Sequence, residues 1–86
     1  MTEYVVYLLR SEKDGNYYIG YTSNLKHRLK MHETGKVKST KNRRPVILLG
    51  YKKFFNKNKA RYFEYLVKHH SDQKRKFIED ILHRSI

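Results

Sequence analysis

The sequence predicts a small α/β (α+β) domain built from three strands and about three helices. Residues 4–9 are nearly all aromatic, β-branched or leucine, and a turn and a second extended run follow them. Farther on, a third extended run lies between segments whose apolar residues recur at helical spacing. A chain of 86 residues is long enough for one thin core. We therefore expect residues 1–86 to form a single domain.

The N-terminal third of the chain predicts a β-hairpin. Residues 4–9 have the composition of a strand that is buried on both faces. Asp14-Gly15 is a strong signal for a tight turn, because glycine readily adopts a positive φ. Residues 16–21 then form the returning strand.

Tyr7 and Tyr18 lie one on each strand of this hairpin. If Asp14-Gly15 were a two-residue loop, the two tyrosines would share a face but lie four positions apart, or about 13 Å. A wider loop or a bulge would bring them closer. The sequence alone leaves the register open.

The first helix is predicted over residues 24–34. Thr22-Ser23-Asn24 provides N-cap residues and Gly35 provides the end. The inner stripe, at i, i+3, i+4 and i+7, consists of Leu25, Arg28, Leu29 and His32. A face that carries two leucines therefore also carries a guanidinium and an imidazole.

The second half of the chain predicts a loop, a strand and two helices. Residues 36–44 are polar and basic, which is typical of an exposed loop, and a strand over 46–51 follows, extending to 54 or 55. Asn56 or Asn58 can cap a helix over 57–70, and Ser71-Asp72 can cap another over 72–84. The stripe of the first of these helices consists of Ala60, Phe63, Glu64 and Val67.

The charge balance points to a polyanionic partner. Twenty Lys and Arg face eight Asp and Glu, which leaves a formal net charge of +12. Nucleic acid is the leading candidate, and an anionic membrane surface is the second. The longest apolar run covers only residues 4–9, far below the ~20 residues needed to cross a bilayer. Absence of cysteine excludes disulfides and fits a reducing, cytoplasmic location.

Arg28 and Glu64 are the sharpest anomalies, because each puts a charge on an apolar stripe. Glu64 could pair with Arg28 or with a surface lysine. Alternatively, its carboxylate could hold one hard divalent cation against a phosphodiester. Each hairpin tyrosine could be a plain core residue, since a phenol with a pKa near 10 is a poor base unless a cation favours the phenolate. His32 could simply interact with the helix dipole.

The exposed cations predict a phosphate-binding surface, with solvated charge as the alternative. This predicted surface comprises Lys36, Lys38, Lys41, Arg43, Arg44, Lys52 and Lys53. Little in the chain resembles base-edge readout, so we expect weak sequence specificity.

Together these residues resemble the GIY-YIG nuclease superfamily, and more narrowly its small stand-alone bacterial members. The resemblance rests on Val5-Val6-Tyr7, Tyr18-Ile19-Gly20, Arg28, His32 and Glu64 in order and at fitting distances, and on the loop Lys38–Val46. It covers about 4–82. The first triplet departs from the family pattern in its glycine and isoleucine but keeps the tyrosine. The asparagine that many members carry after the glutamate is missing.

The resemblance implies a three-stranded antiparallel sheet flanked by helices, and hydrolysis of phosphodiester bonds. It implies one divalent metal ion, Mg²⁺ or Mn²⁺, held by Glu64. Tyr7 matches the tyrosine that activates water, Tyr18 the one that positions it, and Arg28 the arginine that stabilises the transition state. His32 matches an assisting position.

The implied function is a weakly specific endonuclease acting on DNA, with repair or recombination as candidate settings. The alternative is a nucleic-acid-binding module that uses the basic surface without catalysis.

Overall fold

The computed structural model describes residues 2–84. Its elements, in chain order, are β1 (Tyr4–Ser11), β2 (Tyr17–Thr22), α1 (Leu25–Glu33), a short 3-10 turn (Lys41–Arg43), β3 (Val46–Phe54), α2 (Lys57–His69) and α3 (Ser71–Arg84). None of the helices in this part of the chain has the length and apolar character required to span a bilayer.

As expected, the three strands form one antiparallel sheet. Their order in the sheet is β2-β1-β3. Residues 5–9 of β1 are all buried, because β1 is the central strand and helices cover both of its faces. Val6 and Leu8 face a core closed by α2 and α3. Tyr7 and Leu9 face a smaller core closed by α1. The strand predicted to be buried on both faces is therefore the middle of the sheet.

The hairpin loop is wider than a two-residue turn. The backbone N–H of Ser11 donates to the carbonyl of Asn16 at 2.9 Å, so residues 12–15 form the loop. The Ser11 hydroxyl accepts from the backbone N–H groups of Lys13 and Asp14, which stabilises this larger turn. As a result Leu9 pairs with Tyr18, and Tyr7 pairs with Gly20. The two tyrosines are diagonal neighbours on the α1 face instead of lying four positions apart.

The helices agree with the predicted ones to within a residue at each end. Asn24 caps α1 by accepting from the N–H of His27, and Asn56, not Asn58, caps α2 by accepting from Lys59. The third helix begins at Ser71, one residue earlier than predicted. Its first turn closes on the carbonyl of His70, so Ser71 is inside the helix.

The predicted exposed loop, residues 36–44, is buried at two positions. Val37 is 6% exposed and Thr40 is 0% exposed. Thr40 is buried because its hydroxyl bonds to His32 of α1. The hydrogen bond from His32 to Thr40 therefore holds the loop against the sheet face that α1 covers, while the lysines of the loop remain exposed.

Gly20 lies beneath the ring of Tyr7. A Cβ at Gly20 would overlap both Cζ and the hydroxyl oxygen of Tyr7. No side chain fits there unless the ring moves, so the glycine of the second triplet makes room for the tyrosine of the first.

We expect Gly20→Ala to lower the free energy of unfolding by about 1–3 kcal/mol, as overpacking does in a filled core. In a Tyr7→Leu background the same substitution should be neutral or stabilising, since alanine suits a strand better than glycine. Urea unfolding of the four proteins in this double-mutant cycle measures the coupling. An equal cost of Gly20→Ala in both backgrounds would show that the ring is not what requires the glycine.

Candidate active site

The two hairpin tyrosines meet on the α1 face of the sheet. Their ring centroids are 6.3 Å apart. The Tyr7 ring is fully buried, whereas Tyr18 is partly exposed. His32 of α1 packs edge-on against both, with centroid distances of 5.7 Å to Tyr7 and 5.2 Å to Tyr18. The hairpin and α1 thus place two phenols and an imidazole in one cluster.

A chain of hydrogen bonds runs through the Tyr7 hydroxyl. Arg28 Nε donates to it at 3.3 Å. The hydroxyl lies 2.8 Å from His32 Nε2, and His32 Nδ1 lies 2.7 Å from the Thr40 hydroxyl. Arg28 and His32 can both reach Tyr7 because residues four apart on a helix share a face.

The Arg28 end gives this chain a direction. A guanidinium can only donate, so the Tyr7 oxygen accepts from Arg28 and the Tyr7 O–H donates to His32 Nε2. The neutral imidazole then carries its proton on Nδ1, which donates to the Thr40 hydroxyl. The Thr40 hydroxyl in turn donates to the carbonyl of Val37.

The pKa values of Tyr7 and His32 both favour the uncharged forms. Burial raises the pKa of Tyr7 to about 12, against the opposing effect of the Arg28 hydrogen bond. Burial, together with the positive charge of Arg28, lowers the pKa of His32 to about 4. From the sequence we expect a nearby cation to favour the phenolate form of the hairpin tyrosines. Arg28 does act in that direction, but desolvation outweighs it.

Arg28 remains charged in this cluster. Its pKa is raised, first by the hydrogen bond to the Tyr7 hydroxyl and also by the neighbouring Tyr18. The side chain is only partly buried, so its remaining donors can reach solvent or a ligand. The site therefore presents a charged guanidinium beside two phenol side chains.

Glu64 lies on α2, which packs against β1 and β2. Its carboxylate forms a 3.0 Å ion pair with Lys68, one turn along the same helix. The Lys68 ammonium also lies 5.8 Å from the ring centroid of Tyr18. Lys68 therefore links the Glu64 carboxylate to Tyr18 at the margin of the cluster. The negative charge of Glu64 is also the smallest of the causes that act on the raised pKa of Tyr7. Of the alternatives for Glu64, the resting ion pair is with a surface lysine and not with Arg28.

The chain matches a known protein family over most of its length. Residues 3–77 match the family model described as the GIY-YIG catalytic domain. The chain belongs to the GIY-YIG family. This is a family of nucleases, and its nucleases generally use a divalent metal ion.

Small bacterial proteins of similar length share this GIY-YIG sequence. UPF0213 protein OB0043 of Oceanobacillus iheyensis is 51% identical over 67 residues, which cover 77% of each chain. UPF0213 protein SH2523 of Staphylococcus haemolyticus is 42% identical over 82 residues, covering 93% of this chain and 99% of that protein. The solution NMR structure of UPF0213 protein BH0048 from Bacillus halodurans superimposes with a TM-score of 0.58 at 36% identity. It covers 92% of this chain and 84% of that one. The likeness confirms the fold predicted from sequence.

The fold gathers Tyr7, Tyr18, Arg28 and His32 into one cluster, with Glu64 at its margin. Two contributors were not anticipated. Nothing in the sequence indicates the role of Thr40, because a single threonine in a basic loop does not predict a buried hydrogen bond. The role of Lys68 could have been predicted, since a Glu followed four residues later by a Lys forms a favourable pair on a helix.

The seven predicted phosphate-binding cations do not form one surface. Lys36, Lys38 and Lys41 are exposed on the loop that Thr40 anchors. The two arginines make bonds within the fold instead. Arg43 pairs with Asp14 at 3.3 Å, and Arg44 donates to the carbonyls of Lys41 and Glu33.

The remaining two cations lie on opposite faces of β3. Lys53 pairs with Glu3 at 3.5 Å. Lys52 reaches over the rings of Phe54 and Phe63, on the side of α2 and α3. Of the seven cations, only Lys36, Lys38 and Lys41 make no ion pair or ring contact within residues 2–84 and also lie on the loop that Thr40 bonds to the cluster.

The pKa of His32 predicts a loss of stability in mild acid. The folded state holds this imidazole neutral down to about pH 4, whereas the unfolded chain protonates it near its ordinary value of 6.5. Stability from His32 is thus fully present above 6.5 and is lost as pH falls toward 4. By about pH 5 the loss should reach about 2 kcal/mol.

Unfolding free energies from urea titrations at several pH values would test this. A His32→Gln variant should lack this part of the pH dependence, while His27→Gln, on the exposed side of the same helix, should keep it. Identical pH profiles for all three proteins would mean that the imidazole is protonated equally in the folded and unfolded states.

Proposed function

We propose that this protein is a metal-dependent endonuclease that hydrolyses phosphodiester bonds in DNA with weak sequence specificity. The observation that carries the proposal is the directed chain of hydrogen bonds from Arg28 through Tyr7 to His32, with the Glu64 carboxylate nearby. Repair or recombination, in the cytoplasm, is the setting we infer for such an activity.

In this proposal Tyr7 passes a proton on without ever becoming a free phenolate. A pKa of about 12 makes the phenolate costly at neutral pH. However, the hydroxyl already donates to His32 Nε2 at 2.8 Å. Because Tyr7 is fully buried in the free protein, the partly exposed Tyr18 would have to move aside for a water to reach its hydroxyl. As that water attacks phosphorus, the bond from phosphorus to the leaving sugar oxygen breaks, and the leaving oxygen takes a proton from solvent. The proton of the attacking water moves to the Tyr7 oxygen while the Tyr7 proton moves to His32 Nε2. The phenol is neutral before and after, and the imidazole holds the proton.

Arg28 and Tyr18 complete the protein's share of the reaction. The Arg28 guanidinium can bind the phosphate while its Nε holds the Tyr7 oxygen, so it aligns the substrate with the proton acceptor. Tyr18 is partly exposed beside both groups and can position the attacking water. Thr40 keeps His32 in the tautomer that can accept the proton.

The donor set near the cluster fits a single Mg²⁺ or Mn²⁺ held by one carboxylate. Within residues 2–84 no group of three or more His, Cys, Asp or Glu is arranged to bind a metal. Mg²⁺ commonly uses one or two carboxylates, with water and substrate phosphates as its other ligands. One carboxylate oxygen of Glu64 pairs with Lys68, and the side chain is 20% exposed. Its other oxygen is therefore available to bind a metal ion in this way. A bound ion would supply charge neutralisation at the phosphate.

The basic loop supplies affinity without sequence readout. Lys36, Lys38 and Lys41 are exposed, and Thr40 fixes their loop to His32. Ammonium groups on flexible stems contact phosphates and do not distinguish bases. The loop therefore favours weak specificity and salt-sensitive binding.

Plasmid nicking tests the proposed activity. With Mg²⁺ or Mn²⁺ the protein should convert supercoiled DNA to the nicked form. Tyr7→Phe, which removes the relay oxygen, should lower the rate by about 10²-fold or more. Arg28→Ala and Glu64→Gln should lower it comparably.

The controls are Tyr4→Phe, on the opposite sheet face, and Lys26→Ala, on the outer side of α1, which should cleave like the parent. If the parent cleaves no faster than the Arg28 and Glu64 variants under either metal, the endonuclease proposal is wrong. DNA binding that persists in EDTA would then favour the non-catalytic binding module.

Lys68 would compete with a metal ion for the Glu64 carboxylate. Surface ion pairs are worth about 0.2–1 kcal/mol, so Lys68→Met should tighten Mn²⁺ binding by about 1.4- to fivefold. Calorimetric titration with Mn²⁺ in the absence of DNA gives this affinity directly. Lys59→Met removes a charge elsewhere on α2 and serves as the matched control. Equal affinities for the two variants would show that Lys68 does not compete for the carboxylate.

A further inference from the structure

The outer side of α2 exposes two large aromatic side chains. Tyr62 is 63% exposed and Tyr65 is 54% exposed. The ring of His69 lies against that of Tyr65, with 4.6 Å between centroids and 37° between planes. At 100° per residue, positions 62, 65 and 69 fall on one side of the helix, over successive turns. They form a row of three rings that we call the α2 aromatic row.

The α2 aromatic row lies next to a stripe of cations, which separates it from Glu64. Ala60 and Val67 mark the buried side of the helix. Proceeding around the helix from there, the order is Glu64, then Lys68 and Arg61, then the aromatic row. Arg61 lies 5.9 Å from the ring of Tyr21, and Lys68 lies 5.8 Å from that of Tyr18. The cations therefore face β2 and the cluster, and the rings face solvent.

This order matches the cross-section of a nucleic acid strand with unpaired bases. Phosphates seek cations, and bases stack on aromatic rings whatever their identity. A backbone held by Arg61 and Lys68 would pass Glu64 with its bases turned outward onto the rings. A duplex keeps its bases stacked on one another, so the exposed rings would gain nothing along its length.

The charge of α2 favours this occupant over a protein partner. Glu64 is the only acidic residue among Lys57–His69, and it stands at the edge of the helix facing the cluster. The surface around Tyr62 and Tyr65 is therefore cationic as well as aromatic. That combination is typical of platforms for single-stranded nucleic acid.

We propose that the α2 aromatic row is a stacking platform for unpaired bases, which leads a single strand or a frayed end past Glu64. This inference rests on the proposed nuclease function and names its substrate class, namely nucleic acid with unpaired nucleotides at the site.

Binding measured in EDTA separates the platform from catalysis. Fluorescence anisotropy at low salt would compare a labelled oligothymidylate of about twelve nucleotides with a hairpin duplex of similar charge. The parent protein should prefer the single strand. Tyr62→Ala and Tyr65→Ala should each lose about fivefold or more in single-strand affinity and less than about twofold for the duplex. The ring-retaining Tyr62→Phe and Tyr65→Phe should bind like the parent.

Two further arms complete the test. Lys76→Ala, on the exposed side of α3, controls for the loss of any one side chain from the surface. An oligouridylate of equal length distinguishes RNA from DNA as the source of the unpaired bases. Alanine variants that bind the single strand like the parent, or that weaken both substrates equally, would overturn the proposal. So would equal binding of single strand and duplex by the parent.

Failure of the platform can be told from failure of the nuclease. If the alanine variants lose single-strand binding but the parent cleaves nothing with Mn²⁺, the platform stands and the endonuclease does not. If the parent nicks plasmid but the alanine variants bind and cut an oligothymidylate at the parental level, the endonuclease stands and the platform does not.

Discussion

The buried hydroxyl of Tyr7 constrains the rest of the structure. It lies in the middle of the central strand and is out of contact with solvent. A buried hydroxyl without partners would cost several kcal/mol. Its partners come from α1, so the helix must sit where Arg28 and His32 both reach the strand. Because His32 is itself buried, a further partner is needed, and Thr40 brings the basic loop into place.

The residues of the candidate site are therefore also residues that stabilise the fold. Val5, Tyr7 and Leu9 are the buried residues of the core under α1, so one of its three buried side chains is a candidate catalytic group. The larger core beneath α2 and α3 is almost purely apolar. We infer that the core beneath α2 and α3 provides most of the hydrophobic stabilisation. The core under α1 can therefore accommodate the buried hydrogen bonds of Tyr7 and His32.

Sequence reasoning succeeded wherever the signal was local. The strand at residues 4–9, the Asn24 cap and the charged positions on two helix stripes follow from spacing and short-range chemistry. It was incomplete wherever the outcome depended on contacts between distant segments. Asp14-Gly15 suggested a tight turn, but the Ser11 hydroxyl stabilises a wider one. Thr40 looked exposed, because its partner is eight residues away on a helix.

Whether the pKa of Tyr7 is raised or lowered depends on the relative size of two opposing effects, which the sequence does not reveal. Arg28 was visible as a cation able to favour the phenolate, but the depth of burial was not. Desolvation acts on Tyr7 and His32 together and keeps both neutral. Under the proposed function, the arrival of an anionic phosphate changes this balance, because a nearby negative charge favours the imidazolium. His32 would thus become an effective proton acceptor only when substrate is bound, and the resting protein would keep its relay uncharged.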